Sequence, residues 1–209
     1  MEEYEIELYE KVDGTCPVAE FLDELEPKMW AKVTRNIDVL AEHNLNLREP
    51  LVKPIENGIF ELRTQSGGNI ARVFYFFFTG KKIVLTNGFT KKTQKTPRKY
   101  IELLSLPLHT KPIMSKEVKK MKWEEYKQKK LQNPEFKQAY EELEVEYAIM
   151  NEMLKLRGEA GMSQSQLSQK TGITQPDISK LENGKANPSI TTLKKVARAF
   201  GKRLQVQFV

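Results

Sequence analysis

The stretch from Ile59 to Tyr100 constrains the chain most. It reads IFELRTQSGGNIARVFYFFFTGKKIVLTNGFTKKTQKTPRKY. Three β-branched and aromatic runs, Ile59–Arg63, Ala71–Phe78 and Lys82–Asn87, are separated by Ser66-Gly67-Gly68-Asn69 and Thr79-Gly80. Runs this short, joined by turns this tight, predict a β-meander. From Arg63 to Tyr100 the charged residues are Arg63, Arg72, Lys81, Lys82, Lys91, Lys92, Lys95, Arg98 and Lys99, with no Asp or Glu among them. Residues 1–62 are opposite in balance, with fifteen acids against six bases. Protecting a sheet edge does not require every acid to be excluded, so the run predicts a positive field on the sheet and a polyanion partner there.

The length of 209 residues leaves room for two small domains. No apolar run approaches the ~20 residues that span a bilayer, which predicts a soluble chain without membrane contact. The opening MEEYEIELYE has neither the basic start nor the apolar core of a secretory signal, and the single cysteine, Cys16, fits a reducing compartment. The expected location is the cytoplasm. His43, His109 and Cys16 have no metal-ligand spacing, so neither a metal nor a cofactor is expected.

Ahead of the meander, Tyr4 to Tyr9 alternates apolar and acidic residues as a half-buried strand does. Pro17 opens a helix with Val18, Phe21, Leu22 and Leu25 on one face, and Pro27 ends it. A second helix carries Met29, Trp30, Val33, Ile37, Val39 and Leu40 and runs out at Asn44. Leu51 to Ile55 reads as a linker, with Asn57-Gly58 as its turn. The expected order is β-α-α-β-β-β.

Three separated motifs fall in order on these strands: Asn57-Gly58-Ile59-Phe60-Glu61-Leu62-Arg63, then Ala71-Arg72-Val73-Phe74-Tyr75, then Asn87-Gly88-Phe89-Thr90-Lys91-Lys92 through Pro97. Together they resemble HigB-type toxins of the RelE superfamily over residues 1–105. The resemblance implies a ribosome-dependent endoribonuclease, an mRNA interferase, with the ribosome and mRNA as partners. Such chemistry needs a base for the ribose 2′-hydroxyl, charge stabilisation at a pentavalent phosphate and an acid for the departing 5′-oxygen. No histidine or carboxylate lies within 63–100, so arginine and lysine must carry it. By the resemblance, Arg72 is the transition-state arginine, Lys91 and Lys92 flank the leaving group, and Arg63 clamps a phosphate. Lys53, Tyr75, Lys95, Arg98 and Lys99 are expected to hold RNA. Tyr75 has a second reading, as a core or stacking residue. The family's C-terminal tyrosine has no secure counterpart, Tyr100 lying nearest, and the general base stays open.

Leu103 to Pro112 has two prolines and no helical period, and 106–113 reads as a linker. Met114-Ser115-Lys116-Glu117 resembles the start of a separate gene product, as if two neighbouring cistrons were joined. A charged helical tract follows. Asn133-Pro134-Glu135 opens a helix bearing Phe136, Tyr140, Leu143 and Tyr147 at three-to-four spacing, suited to docking on a partner. Ser163 with Gln166 forms a capping box, Thr171-Gly172-Ile173 a tight turn, Thr174 through Asp177 a second cap, and Asn187-Pro188-Ser189 a third helix start. The third helix is expected to bury Leu193, Val196, Ala197 and Phe200. This is helix-turn-helix grammar.

The segment MSQSQLSQKTGITQPDISKLENGKANPSITTLKKVARAFG resembles the lambda-repressor-like (XRE) DNA-binding family, and with the tract before it a HigA-type antitoxin. By that resemblance Gln164 meets a phosphate, and Thr174, Gln175, Asp177, Ser179 and Lys180 face the major groove. Gln175 has the chemistry to read adenine. Arg203 to Val209 alternates as a strand whose free edge suits homodimerisation.

The expected class is therefore α+β: an antiparallel sheet with two N-terminal helices over 1–105, then an all-α helix-turn-helix domain with a short C-terminal strand. Within 114–209, residues 114–159 are the toxin-binding region, 160–201 the helix-turn-helix and 202–209 the strand. The leading reading is a toxin–antitoxin pair in one chain, in contact in cis or trans, whose antitoxin half binds its own operator DNA as a repressor. Two others stand beside it: a transcription regulator with a non-catalytic N-terminal interaction domain, and a ParE-like gyrase toxin.

Overall fold

The structure, a computed structural model, describes residues 3–91 and 120–207. Lys92, Lys95, Arg98, Lys99 and Tyr100, and the linker expected at 106–113, lie outside the described residues. The chain forms two compact units, Met1–Glu142 and Leu143–Val209.

In the first unit, β1 (Glu5–Tyr9) leads to α1 (Pro17–Asp23) and α2 (Pro27–His43). Both helices start with proline, which has no N–H to leave unsatisfied there. Val18, Leu22, Trp30, Val33, Ile37 and Leu40 are fully buried, the apolar stripe that helical spacing predicts. The short strand β2 (Val52–Pro54) replaces the expected linker. It turns into β3 (Ile59–Ser66) through Asn57 and Gly58, whose φ of 52° and 75° suit the two central places of a twisted hairpin. β4 (Asn69–Phe78) and β5 (Lys82–Lys91) complete the meander.

The sheet order is β2-β3-β4-β5-β1, continued by β6 (Lys120–Lys122). The expected antiparallel sheet is thus corrected: β1 runs parallel to β5, with Leu8 opposite Leu85. A parallel neighbour needs a long crossover, and the chain from α1 through β4 supplies it. β6 then closes the far edge of β1 antiparallel, with Met121 opposite Leu8.

Pairing registers sort the side chains between the two faces. Asn36 Nδ2 on α2 donates to Thr64 Oγ1 on β3 at 2.8 Å, and Phe21 on α1 packs over Gly88 on β5. Those contacts mark the helical face. Arg63, Arg72 and Phe89 share one register row, and Lys53, Glu61, Phe74 and Asn87 the next, both on the opposite face. A bulge at Thr86 leaves Phe74 opposite Asn87 and Tyr75 opposite Leu85.

Two further helices, α3 (Trp123–Lys130) and α4 (Pro134–Glu141), belong to this unit and lie on α1 and α2. Trp123 and Tyr126 are buried. The expected single docking helix is divided at Glu142 and Leu143: Phe136 and Tyr140 stay with the first unit, and Tyr147 enters the second.

The second unit holds α5 (Glu144–Glu159), α6 (Gln164–Thr171), α7 (Gln175–Leu181) and α8 (Ile190–Ala199). Met153, Leu167, Ile178, Leu181, Val196 and Ala199 form its core; of the residues expected to be buried on α8, Val196 is, whereas Leu193, Ala197 and Phe200 are half-buried and Ala199 takes the inward place. Residues 202–207 form no strand, which corrects that expectation. An alternating pattern becomes a strand only where another edge accepts its backbone, and this unit has no sheet among its described residues.

Candidate nucleic-acid interfaces

The cationic face of the sheet is not free of counter-charge. Glu61, two residues ahead of the acid-free run, is fully buried beside both arginines of the row. Arg72 Nη1 donates to both Glu61 carboxylate oxygens at 2.9 Å, and Arg63 Nε donates to Glu61 Oε1. The Arg72 side chain is 6% exposed and that of Arg63 25%. Expected to meet the scissile phosphate as an uncompensated cation, Arg72 instead sits buried in a carboxylate pair. The physical reason is register: β3 and β4 place Glu61 diagonally across from Arg72 on the same face. Lys53, opposite Glu61, is half-buried. Lys91 ends β5 opposite Ile70.

Tyr75 is corrected from an RNA contact to a core residue. It is 1% exposed and stacks on Phe60 with ring centroids 5.5 Å apart. Burial pushes its phenol well above the ordinary range, and among the described residues its hydroxyl has no hydrogen-bond partner. A phenol so placed is neither a base nor a stacking platform for RNA.

On the helical side, two aspartates hold the 120–142 segment. Asp38 Oδ1 accepts from Trp123 Nε1 and Lys127 Nζ, each at 3.0 Å, and Asp38 Oδ2 from the Tyr140 hydroxyl at 2.7 Å. Asp23 Oδ1 accepts from the Tyr126 hydroxyl at 3.0 Å and Lys130 Nζ at 2.8 Å. Arg35 donates through Nη2 to the Tyr140 carbonyl at 2.9 Å and lies 3.7 Å over the Tyr140 ring. Trp30 meets Phe136 edge-to-face at 5.3 Å.

In the second unit, Ser163 and Gln166 form the expected capping box, Thr174 caps α7 and Ser189 caps α8. Gly172, in the left-handed region at φ 71°, makes the turn between α6 and α7. Thr174, Gln175, Asp177 and Lys180 are exposed, while Gln164 and Ser179 are half-buried. Ser179 accepts from Asn183 Nδ2 through its carbonyl. Asp177 takes Lys180 Nζ and the Thr174 hydroxyl, each at 2.7 Å, and these bonds hold its carboxyl below the ordinary value. Gln175 Nε2 donates to Gln164 Oε1 at 2.8 Å, and Gln164 Nε2 to Glu182 Oε2 at 2.8 Å. Glu182 is buried and takes Arg157 through Nε and Nη2, the latter at 3.0 Å. Arg157 and Glu182 carry no sequence signal as a pair. Their separation of 25 residues carries no motif, and only the packed fold brings them together.

Residues 20–105 match the family described as phage derived protein Gp49-like, and residues 153–207 the helix-turn-helix family. An uncharacterised HTH-type transcriptional regulator of Haemophilus influenzae is 31% identical over 84 residues, 40% of this chain and 82% of that protein. One from Archaeoglobus fulgidus is 38% identical over 55 residues, 26% of this chain and 79% of that protein. Antitoxin HigA1 of Mycobacterium tuberculosis is 30% identical over 74 residues, 35% of this chain and half of that protein. The chain belongs to the HTH-type transcriptional regulators and carries a Gp49-like domain ahead of the helix-turn-helix. No helix among the described residues is long and apolar enough to cross a membrane.

Proposed function

We propose that the chain is a toxin–antitoxin pair: an RNA-cleaving sheet domain of the HigB type, held by the 120–142 segment, joined to an operator-binding repressor. The observation that carries this reading is where the segment lies. It extends the sheet through β6 and covers α1 and α2, the layer opposite the face that bears Arg63 and Lys53. An inhibitor so placed adds bulk, and bulk excludes a domain from the ribosomal decoding site without plugging its cationic face. In the cleavage step the ribose 2′-oxygen loses its proton and attacks the adjacent phosphorus. The bond to the 5′-oxygen breaks as that oxygen takes a proton, leaving a 2′,3′-cyclic phosphate and a 5′-hydroxyl. Arg63, Lys91 and Lys92 supply the charge stabilisation, and Lys53, Lys95, Arg98 and Lys99 track the backbone. The similarity to antitoxin HigA1 supports the antitoxin role of the second unit, where Gln175 and its neighbours on α7 read the major groove.

The test is translation in a reconstituted system. The intact chain is expected to leave mRNA whole, and the Asp23→Ala/Asp38→Ala variant, with the segment loosened, to cut it on ribosomes. A folded, loosened variant that leaves translated mRNA intact would sink the nuclease reading and favour a non-catalytic interaction domain.

A further inference from the structure

We propose that Glu61 is the positioning residue of the cationic face: it holds Arg72 as a buried scaffold and turns the guanidinium of Arg63 outward as the group that meets RNA phosphate. The inference rests on the RNA-cleaving reading above and assigns roles within it.

Glu61 has no exposed side-chain surface, so its charge requires compensation from neighbouring groups. Arg72 contributes to that compensation, with one nitrogen bonded to both carboxylate oxygens. A phosphate approaching Arg72 would meet a buried carboxylate of its own sign and would have to displace it. Arg63 differs in the atom it commits. Its Nε is bonded to Glu61, which anchors the base of the fork and leaves the two Nη amines at the outer end of a side chain that is 25% exposed. Those amines form the planar pair that matches two phosphate oxygens. Among the described residues, one carboxylate between two arginines leaves a single net positive charge, delivered at Arg63. Two arginines facing each other in the register would otherwise repel.

The probe is a fluorescein-labelled hexauridylate, bound to the full chain and followed by anisotropy across a salt series, with a thermal melt for every variant. Arg63→Ala, at a partly exposed position, is expected to melt like the parent, bind at least tenfold more weakly and lose about 0.7 from the slope of log K against log salt, one phosphate contact on a single strand. Arg63→Lys keeps the slope but binds several-fold more weakly, because an ammonium cannot form the paired contact. Glu61→Gln/Arg72→Met removes the buried pair and keeps an acceptor for Arg63 Nε, so affinity stays within about twofold and the slope is unchanged. Glu61→Met/Arg72→Met removes the acceptor as well, and affinity falls about fivefold or more with no change of slope, an effect that a merely structural glutamate would not produce.

Equal affinity of Arg63→Ala and the parent overturns the assignment, as does a slope loss in Glu61→Gln/Arg72→Met, which would make Arg72 the phosphate ligand. Equal binding by the two double variants removes the positioning role. Failure of the parent itself to bind with any salt dependence defeats the RNA-cleaving reading, and this inference falls with it. A double variant that does not fold leaves the decision to Arg63→Ala and Arg63→Lys.

Discussion

Asp38 on α2 accepts the Tyr140 hydroxyl at 2.7 Å across 102 residues of chain, and the same carboxylate takes Trp123 Nε1 and Lys127 Nζ. One side chain thereby holds both helices of the 120–142 segment. Asp38→Ala removes an ionic acceptor from three part-buried donors and is expected to cost about 2–4 kcal/mol of the segment's attachment. Asp23→Ala removes a more exposed carboxylate and should cost no more than about 1 kcal/mol. Hydrogen exchange within 123–141 reads both. Slow exchange there in Asp38→Ala, equal to the parent, would show that apolar packing alone fastens the segment.

Alkali should loosen the same contact. Burial raises the Tyr126 phenol, and Asp23 raises it further; burial and then Asp38 do the same to Tyr140. A phenol whose pKa is raised on folding contributes stability that is complete below the unfolded value near 10 and is lost as pH climbs toward the folded one. Lys127 titrates nearby: burial opposes its charge, but Asp38 and Glu124 outweigh burial and hold its pKa up. Proteolytic protection of the segment is expected to hold to about pH 10 and to fall above it. Tyr126→Phe/Tyr140→Phe should flatten that fall, and an unaltered profile would assign it to lysine.

Tyr75→Phe is expected to leave stability unchanged or raise it by up to about 1 kcal/mol, since it deletes a buried hydroxyl without a partner among the described residues. RNA binding should not change. A loss of RNA binding in this variant, with an unaltered melt, would return Tyr75 to the site.

The sequence showed much of the first unit because each local signal agreed with its neighbours. The prolines at 17 and 27 and the Asn57-Gly58 turn lie where turn chemistry puts them, and β1 forms where alternation predicts a strand, although Glu7 is buried with its apolar neighbours because β1 is paired on both edges. The missed features depend on contacts between distant residues. A charge count that begins at Arg63 is correct and still misleads, because Glu61 reaches into the row from two residues upstream and register alone reveals the pairing. β6 is three residues long and becomes a strand only because the β1 edge stands ready to pair with it. The helix-turn-helix was legible from its caps, whereas the Arg157–Glu182 pair beneath it was not.

Gly88 shows how closely α1 approaches the sheet. A Cβ added there would lie 2.2 Å from Phe21 Cδ1 and 2.9 Å from Phe21 Cγ, so the whole ring would have to move. Phe21 is buried between α1 and β5 and cannot swing into solvent. Gly88→Ala should therefore destabilise the first unit by about 1–3 kcal/mol, and Phe21→Leu, with its smaller side chain, should recover part of that loss. Additive costs from chemical denaturation would separate the two residues energetically and refute the contact.

Gln175 is tied into the fold through a relay of side chains. Its amide nitrogen is tied to Gln164, which is tied to the buried Glu182, which is clamped by Arg157. The chain of bonds fixes the Gln175 carboxamide before any base arrives, so part of the ordering cost of recognition is met during folding. Gln175→Ala should lose about 1–3 kcal/mol of discrimination between the protein's own upstream region and random duplex. Gln164→Ala leaves Gln175 in place but untied, and should lose a smaller share of discrimination with the salt slope unchanged, because a neutral amide neutralises no phosphate. Glu182→Ala leaves the partly exposed Arg157 without its carboxylate and is expected to destabilise the second unit by about 1–3 kcal/mol. Lys194→Ala, at an exposed position of α8, is the control: it should weaken all sequences alike and leave the ratio between them intact. Electrophoretic titration of specific and random duplexes at two salt concentrations reads all four variants. Gln175→Ala keeping the parent's ratio would show that base discrimination resides elsewhere on α7.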